Sequence, residues 1–122
     1  MNGRALLDSN IIIDIAKENL DVSNINGFQS YSISVITYME TLGYSFGSTD
    51  EKDKIESILS CFEMVYLDEA IVKSVIEIRS KNKIKLPDAI IAATANVQNS
   101  TLLTRNIKDF DGIATLLKNP YL

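Results

Sequence analysis

Four carboxylates stand where a chain of this kind can do chemistry: Asp8, Glu40, Asp88 and Asp109. Asp8 ends the apolar run Ala5-Leu6-Leu7, which reads as a buried parallel strand with a helix starting at Ser9 or Asn10. Glu40 sits on a helix that follows a second strand, and helical side chains lean toward the helix N-terminus, here the carboxyl edge of that strand. Asp88 opens an apolar helix, and Asp109 follows the fourth strand in Thr104-Arg105-Asn106-Ile107-Lys108-Asp109. In open α/β sheets ligands bind beyond the carboxyl ends of the strands, the edge on which all of these acids would converge. Crowded carboxylates repel unless a cation compensates them, and Mg2+ or Mn2+ takes such oxygen ligands while keeping several waters. An ion of that type polarises a phosphoryl oxygen and delivers hydroxide at neutral pH, so the constellation points to phosphodiester hydrolysis.

Histidine is absent, which removes imidazole general bases and His-based zinc sites and leaves hydrolysis to carboxylates, hydroxyls, lysines or a hard metal. Each acid also has a plainer explanation. Asp8, Ser9 and Asn10 are all good N-caps, Glu40 could be a solvated helix-face residue, and the helix dipole favours an acid at Asp88. Asp88 fits its plain reading worst, because its helix is apolar on every side and holds no base to neutralise a buried charge. Arg105 is a candidate phosphate or substrate contact and Asn106 a polar positioning group, with surface loop residues as the alternative. Asp14, Glu69 and Asp111 read as ordinary surface or capping acids.

The elements that must position these groups alternate between strand and helix. After the first strand, Ile11, Ile12, Ile13, Ile15 and Ala16 make a short apolar helix ending near Lys17, and a polar connection runs from Asp21 to Gly27. Tyr31 to Val35 alternates as a second strand, followed by a helix with Val35, Met39, Leu42 and Phe46 at helical spacing. Thr49-Asp50-Glu51 opens a third helix with the stripe Ile55, Ile58, Leu59 and Phe62. Met64 to Leu67 reads as a third strand, and Asp68 caps a helix with the stripe Ile71, Val72, Val75, Ile76 and Ile78. Ser80 to Leu86 then has to recross the domain, which an extended segment spanning roughly 20 Å can do. Pro87 to about Val97 is the apolar central helix, Thr101 to Thr104 the fourth strand, Asn106 to Phe110 a helical turn, and Ala114 to Leu117 a last edge strand. The pattern predicts a three-layer α/β/α fold around a mainly parallel sheet of four to five strands.

The 122 residues are 46% hydrophobic and 23% charged, the size and balance of one globular domain spanning 1–122. The apolar runs are too short to span a membrane, so a cytoplasmic protein is expected. Cys61 lies among Ile58, Leu59 and Phe62 and reads as a small buried hydrophobe with no disulfide partner. The net charge of -4 argues against non-specific nucleic-acid binding.

LLDSNIIID, SVITYMETLG, LPDAIIAATA and LLTRNIKDFDGI resemble, in order and spacing, the four acidic motifs of PIN domains, most closely the VapC-type toxins of toxin–antitoxin pairs. The resemblance runs from Leu6 to about Gly112. It implies an α/β/α fold and an endoribonuclease that depends on Mg2+ or Mn2+ and cuts RNA with metal-activated water. Asp8, Glu40 and Asp88 match the acids such enzymes share. Where many members carry an acid directly after the Thr-Arg pair this chain has Asn106, and Asp109 takes the fourth position. Thr104, Ser9 and Asn10 match small polar positions that orient the acids or water. The resemblance further implies a homodimer and a cognate antitoxin whose C-terminal segment covers the acidic pocket, with an Arg or Lys standing in for the metal's charge. RNA would need a local basic rim, for which Arg4, Lys17, Arg105 and Lys108 are the candidates. Two other readings compete: a flavodoxin-like phosphoacceptor domain, which lacks the acid pair it would need after the first strand, and a PIN-like scaffold without catalysis that only binds a partner.

Overall fold

The structure is a computed structural model that describes residues 3–43 and 47–121. Its strands are β1 (Arg4–Leu7), β2 (Ser30–Ser34), β3 (Glu63–Val65), β4 (Ser100–Leu103) and β5 (Leu117–Lys118). They pair in parallel throughout, in the order β3-β2-β1-β4-β5. The helices are α1 (Ser9–Ala16), α2 (Val35–Leu42), α3 (Thr49–Leu59), α4 (Glu69–Lys81), α5 (Leu86–Val97) and α6 (Ile107–Phe110). This is the expected α/β architecture, with β1 at the centre of the sheet.

A strand with layers on both sides must be apolar on both faces, and β1 is. Ala5 and Leu7 face a core with Ile11, Ile12, Ile33, Ile55 and Leu59, whereas Leu6 faces the opposite one with Ile91, Ala92, Ala95 and Phe110. Each fully buried Leu or Ile contributes about 1.5–3 kcal/mol. Because Ala89 to Ala95 are all buried, α5 is as central as its composition predicts. Its alanines let α4 approach, and Ile71 and Val75 pack on Ala89, Ile90 and Ala93.

Several expectations need correction. Val72 and Ile76 are 43% and 65% exposed, because the buried line of α4 follows Ile71, Val75 and Ile78 and leaves their neighbours turned outward. On α2 the buried face belongs to Thr37 and Thr41, and Met39 is 52% exposed. Thr41 is tolerated there because its hydroxyl donates to the Thr37 carbonyl at 2.8 Å. Phe46, expected on the same stripe, lies outside the described residues. Cys61 is exposed, since α3 has already ended at Leu59. β3 stops at Val65 and leaves Tyr66 and Leu67 outside the sheet. The last strand is Leu117–Lys118, while Ala114 is drawn into the core beside α5. The connection between α4 and α5 is only residues 82–85, too short at about 13 Å to recross the domain as expected, because α4 continues to Lys81 and α5 begins at Leu86.

Candidate active site

The site grows from the register of the central strands. Leu7 is level with Leu103, so the next residues, Asp8 and Thr104, leave the sheet side by side. The Asp8 amide donates to the Leu103 carbonyl at 3.0 Å, which ties the two strand ends together. Asp8 is also the N-cap of α1: its Oδ1 accepts from the Ser9 amide at 2.8 Å. The plain capping role and the placement at the sheet edge are therefore both real. Oδ2 accepts from the Thr104 hydroxyl at 2.7 Å and from Asn10 Nδ2 at 3.2 Å. Thr104 Oγ1 in turn accepts from the Asn106 amide at 3.0 Å, and Asn10 Oδ1 from the Arg105 amide at 3.3 Å. The loop after β4 is thus sewn to the start of α1, and Ser9, Asn10, Thr104 and Asn106 all belong to that seam.

Glu40 arrives by the expected route. β2 passes into α2 without a linker, with Ser34 capping through a bond from the Ile36 amide at 3.1 Å, so the first turns of α2 stand over the sheet edge. There Glu40 Oε1 accepts from the Ser9 hydroxyl at 2.7 Å. Asp88 lies in the first turn of α5, whose N-cap, Lys85, provides no side-chain bond.

Electrostatics joins these groups. Burial pushes the Asp8 carboxyl above its ordinary value, and the negative charges of Asp88 and Glu40 push it further, against the hydrogen bonds from Thr104 and Ser9. The Asp88 carboxyl is likewise raised by burial and by Asp109 and Glu40, with Lys85 opposing. No hydrogen bond offsets the rise at Asp88. Asp88 thus links the set, since it is felt at Asp8 and itself feels Glu40 and Asp109, yet as the side chains stand, no group of three among the described residues is arranged to hold an ion. The donor set is entirely carboxylate oxygen, the chemistry that suits Mg2+ or Mn2+ and not a thiolate or imidazole metal.

Two expectations about nearby groups change. Asp14 is buried at 5% exposure, not a surface acid. Its Oδ2 accepts from Arg105 Nη1 at 2.8 Å and from the Tyr121 hydroxyl. Arg105 is thereby anchored to α1, and the Tyr121 phenol is pushed up by burial and by Asp14, so it stays protonated. The basic rim also needs redrawing. Arg4 begins β1, level with Ser30 and Ser100 at the opposite edge of the sheet, and donates to Gln98 at 2.9 Å. Lys17 follows the last residue of α1, about 13 Å along the axis from Asp8. Lys108 does lie beside the acids, together with Lys83 and Lys85, which the sequence reading passed over although SKNKIKL leads directly to Asp88.

The PIN domain family profile matches residues 5–116. No curated protein matches the chain. Among solved structures, a toxin–antitoxin complex from Klebsiella pneumoniae has a chain 35% identical over 96% of this chain and 98% of that one, with a TM-score of 0.76. VapBC-1 from nontypeable Haemophilus influenzae is 25% identical, covering 98% of this chain and 99% of that one at a TM-score of 0.77. VapBC2 from Rickettsia felis, bound to a promoter DNA fragment, shares the fold at a TM-score of 0.81, with 24% identity over 95% of this chain and 98% of that one. Asp8, Glu40, Asp88 and Asp109 thus stand at the carboxyl edge of a parallel sheet whose sequence fits one profile almost from end to end, and the chain belongs to the PIN domain family.

Proposed function

We propose that this chain is an endoribonuclease that depends on Mg2+ or Mn2+ and serves as the toxin of a toxin–antitoxin pair. PIN domains are a family of nucleases, and the Klebsiella pneumoniae relative is part of a toxin–antitoxin complex. The observation that carries the reading is the placement of Asp8, buried at 6% exposure at the carboxyl edge of the sheet and held there by neutral donors, the Thr104 hydroxyl, Asn10 and the Ser9 amide, with the acids Asp88 and Glu40 near enough to raise its carboxyl further. A cation completes such a site by neutralising the acids that the neutral donors only orient.

Asp8, Asp88, Glu40 and Asp109 would hold the ion. When bound, it supplies Lewis acidity toward a phosphoryl oxygen and lowers the pKa of water. Thr104, Asn10 and the Ser9 amide orient Asp8 through hydrogen bonds, and the Ser9 hydroxyl orients Glu40. Asn106 and Arg105 hold the β4 loop in place through their backbone amides. The partners in this reading are an RNA substrate, a cognate antitoxin and a second copy of the chain, with the cytoplasm as the compartment. No helix among the described residues is long and apolar enough to cross a membrane.

The scaffold reading is favoured by one observation, the lack among the described residues of three acids already arranged around an ion. Calorimetric titration with Mn2+ and an RNA cleavage assay separate the two. Saturable Mn2+ binding that disappears in Asp8→Asn, with Mg2+- or Mn2+-dependent cleavage lost in Asp88→Asn, is the nuclease outcome. Full cleavage by either variant, or no saturable Mn2+ heat in the wild type, would refute it.

A further inference from the structure

The acidic site opens on one side into a groove of about 420 Å3, lined by Asn82, Lys83, Lys85, Asp88, Lys108 and Asp109, among others. Two of the four site acids, together with Asp111, therefore share this groove with three lysines from two different segments. Lys83 and Lys85 come from the connection between α4 and α5, and Lys108 from α6. All three are exposed. The ion pairs among the described residues are Lys73 with Glu69, Lys81 with Glu77 and Arg105 with Asp14, so none of the groove lysines is neutralised by one.

We infer that Lys83, Lys85 and Lys108 grip the phosphate backbone of a single-stranded RNA on one side of the bond to be cut, leading the strand out of the acidic site through this groove. The inference rests on the nuclease reading and gives it a substrate path. A chain with a net charge of -4 repels a polyanion over most of its surface, so binding has to be local. The groove concentrates cations beside the reacting centre, and Lys85 lies close enough to Asp88 for its charge to be felt there. Asp88, Asp109 and Asp111 balance the lysines only while they carry no cation; an ion held by Asp88 and Asp109 leaves the lysines in excess. Compact, strongly hydrated ammonium groups on flexible stems suit phosphates at variable positions along a single strand. A cationic protein segment would meet the same lysines as like charges.

The test uses the full-length protein with all its acids intact, in Mg2+ buffer, with a fluorescein-labelled RNA of about 12 nucleotides whose phosphorothioate linkages resist hydrolysis, a length within the range single-strand grooves engage. Anisotropy is followed as a function of salt. Each phosphate neutralised on a single strand contributes about 0.7 to the slope of log K against log salt, so Lys83→Gln, Lys85→Gln and Lys108→Gln combined should flatten it by about 2. Lys52→Gln, Lys54→Gln and Lys73→Gln, an equal charge change elsewhere, should leave it as it was. In a background with all acids intact, the groove triple variant should raise KM for RNA about tenfold with kcat nearly unchanged, the mark of uniform binding. An unchanged slope, an equal loss in the control triple, absence of RNA binding, or displacement of RNA by polyglutamate at equal concentration would overturn the inference. Failure of the nuclease reading itself looks different: the wild type then cleaves no RNA in Mg2+ or Mn2+.

Discussion

Thr104 and Asp8, 96 positions apart in the chain, share a 2.7 Å hydrogen bond that is buried at the carboxyl edge of the sheet. The Thr104 hydroxyl donates to Oδ2 and at the same time accepts from the Asn106 amide, so it fixes both the central acid and the loop that bears Asp109. Thr104→Val keeps the shape and removes both bonds. A hydrogen bond to a charged acceptor is worth about 1.5–3 kcal/mol, and the loss should fall in that range by urea unfolding, with cleavage reduced as well. Thr104→Ser should restore most of both.

The raised carboxyls of Asp8 and Asp88 set the pH dependence of the cation-free protein. A carboxyl whose value is higher folded than unfolded binds its proton more tightly in the folded state. Its contribution is fully favourable below the ordinary carboxylate value and is lost as pH rises through the raised one. The melting temperature in EDTA should therefore rise as pH falls through the raised values toward the ordinary carboxylate one, and Mg2+ or Mn2+ should flatten that rise. Asp88→Asn should melt higher than the wild type in EDTA at pH 7 while cutting no RNA, by a margin reduced by its partial exposure. Asp8→Asn should also cut no RNA but gain no stability, because it replaces one of the oxygens that accept from Thr104, Asn10 and the Ser9 amide with a donor. Calorimetry and a cleavage gel check both statements.

Asp14 is expected to be a stability residue that acts through the β4 loop. Its buried carboxylate holds Arg105 at 2.8 Å and the Tyr121 hydroxyl. Asp14→Asn should cost about 2–3 kcal/mol by urea unfolding, because it leaves a half-exposed guanidinium without its charge partner and strands the tyrosine hydroxyl. Tyr121→Phe should cost only about 1 kcal/mol. If Arg105 works chiefly as this anchor, Arg105→Gln combined with Asp14→Asn should cost less than the sum of the single changes. Strict additivity would show that Arg105 and Asp14 do not support each other.

Asn106 is exposed and contributes its backbone amide to the seam, which leaves its side chain free to be altered without disturbing the loop. Asn106→Asp places another carboxylate beside Asp8 and Asp109. Mn2+ affinity should rise by up to about tenfold, equivalent to about 1.4 kcal/mol, and the melting temperature in EDTA should fall. Calorimetric titration reads the first effect and thermal unfolding the second. An unchanged Mn2+ affinity would place position 106 outside the ion's surroundings.

Much of this architecture is legible in short stretches. Ala5-Leu6-Leu7 stopping at Asp8 specifies a strand buried on both faces with an acid at its end, and α5 declares its central place because Ala89 to Ala95 offer no polar side to solvent. Thr49-Asp50-Glu51 and Asp68 likewise announce helix starts that the structure bears out to within a residue. Once the strands and their direction are given, the landing of Asp8, Glu40 and Asp88 at one edge follows from which end of each element they occupy. Periodicity and caps, however, describe only what a residue's own element requires. That Asp14 is clasped by Arg105 and Tyr121, that α2 turns Thr37 and Thr41 inward, and that Lys108 joins Lys83 and Lys85 beside Asp88 depend on which segments pack together. Those choices are made by the strand order β3-β2-β1-β4-β5, and a pairing between residues a hundred positions apart leaves no local trace in either of them.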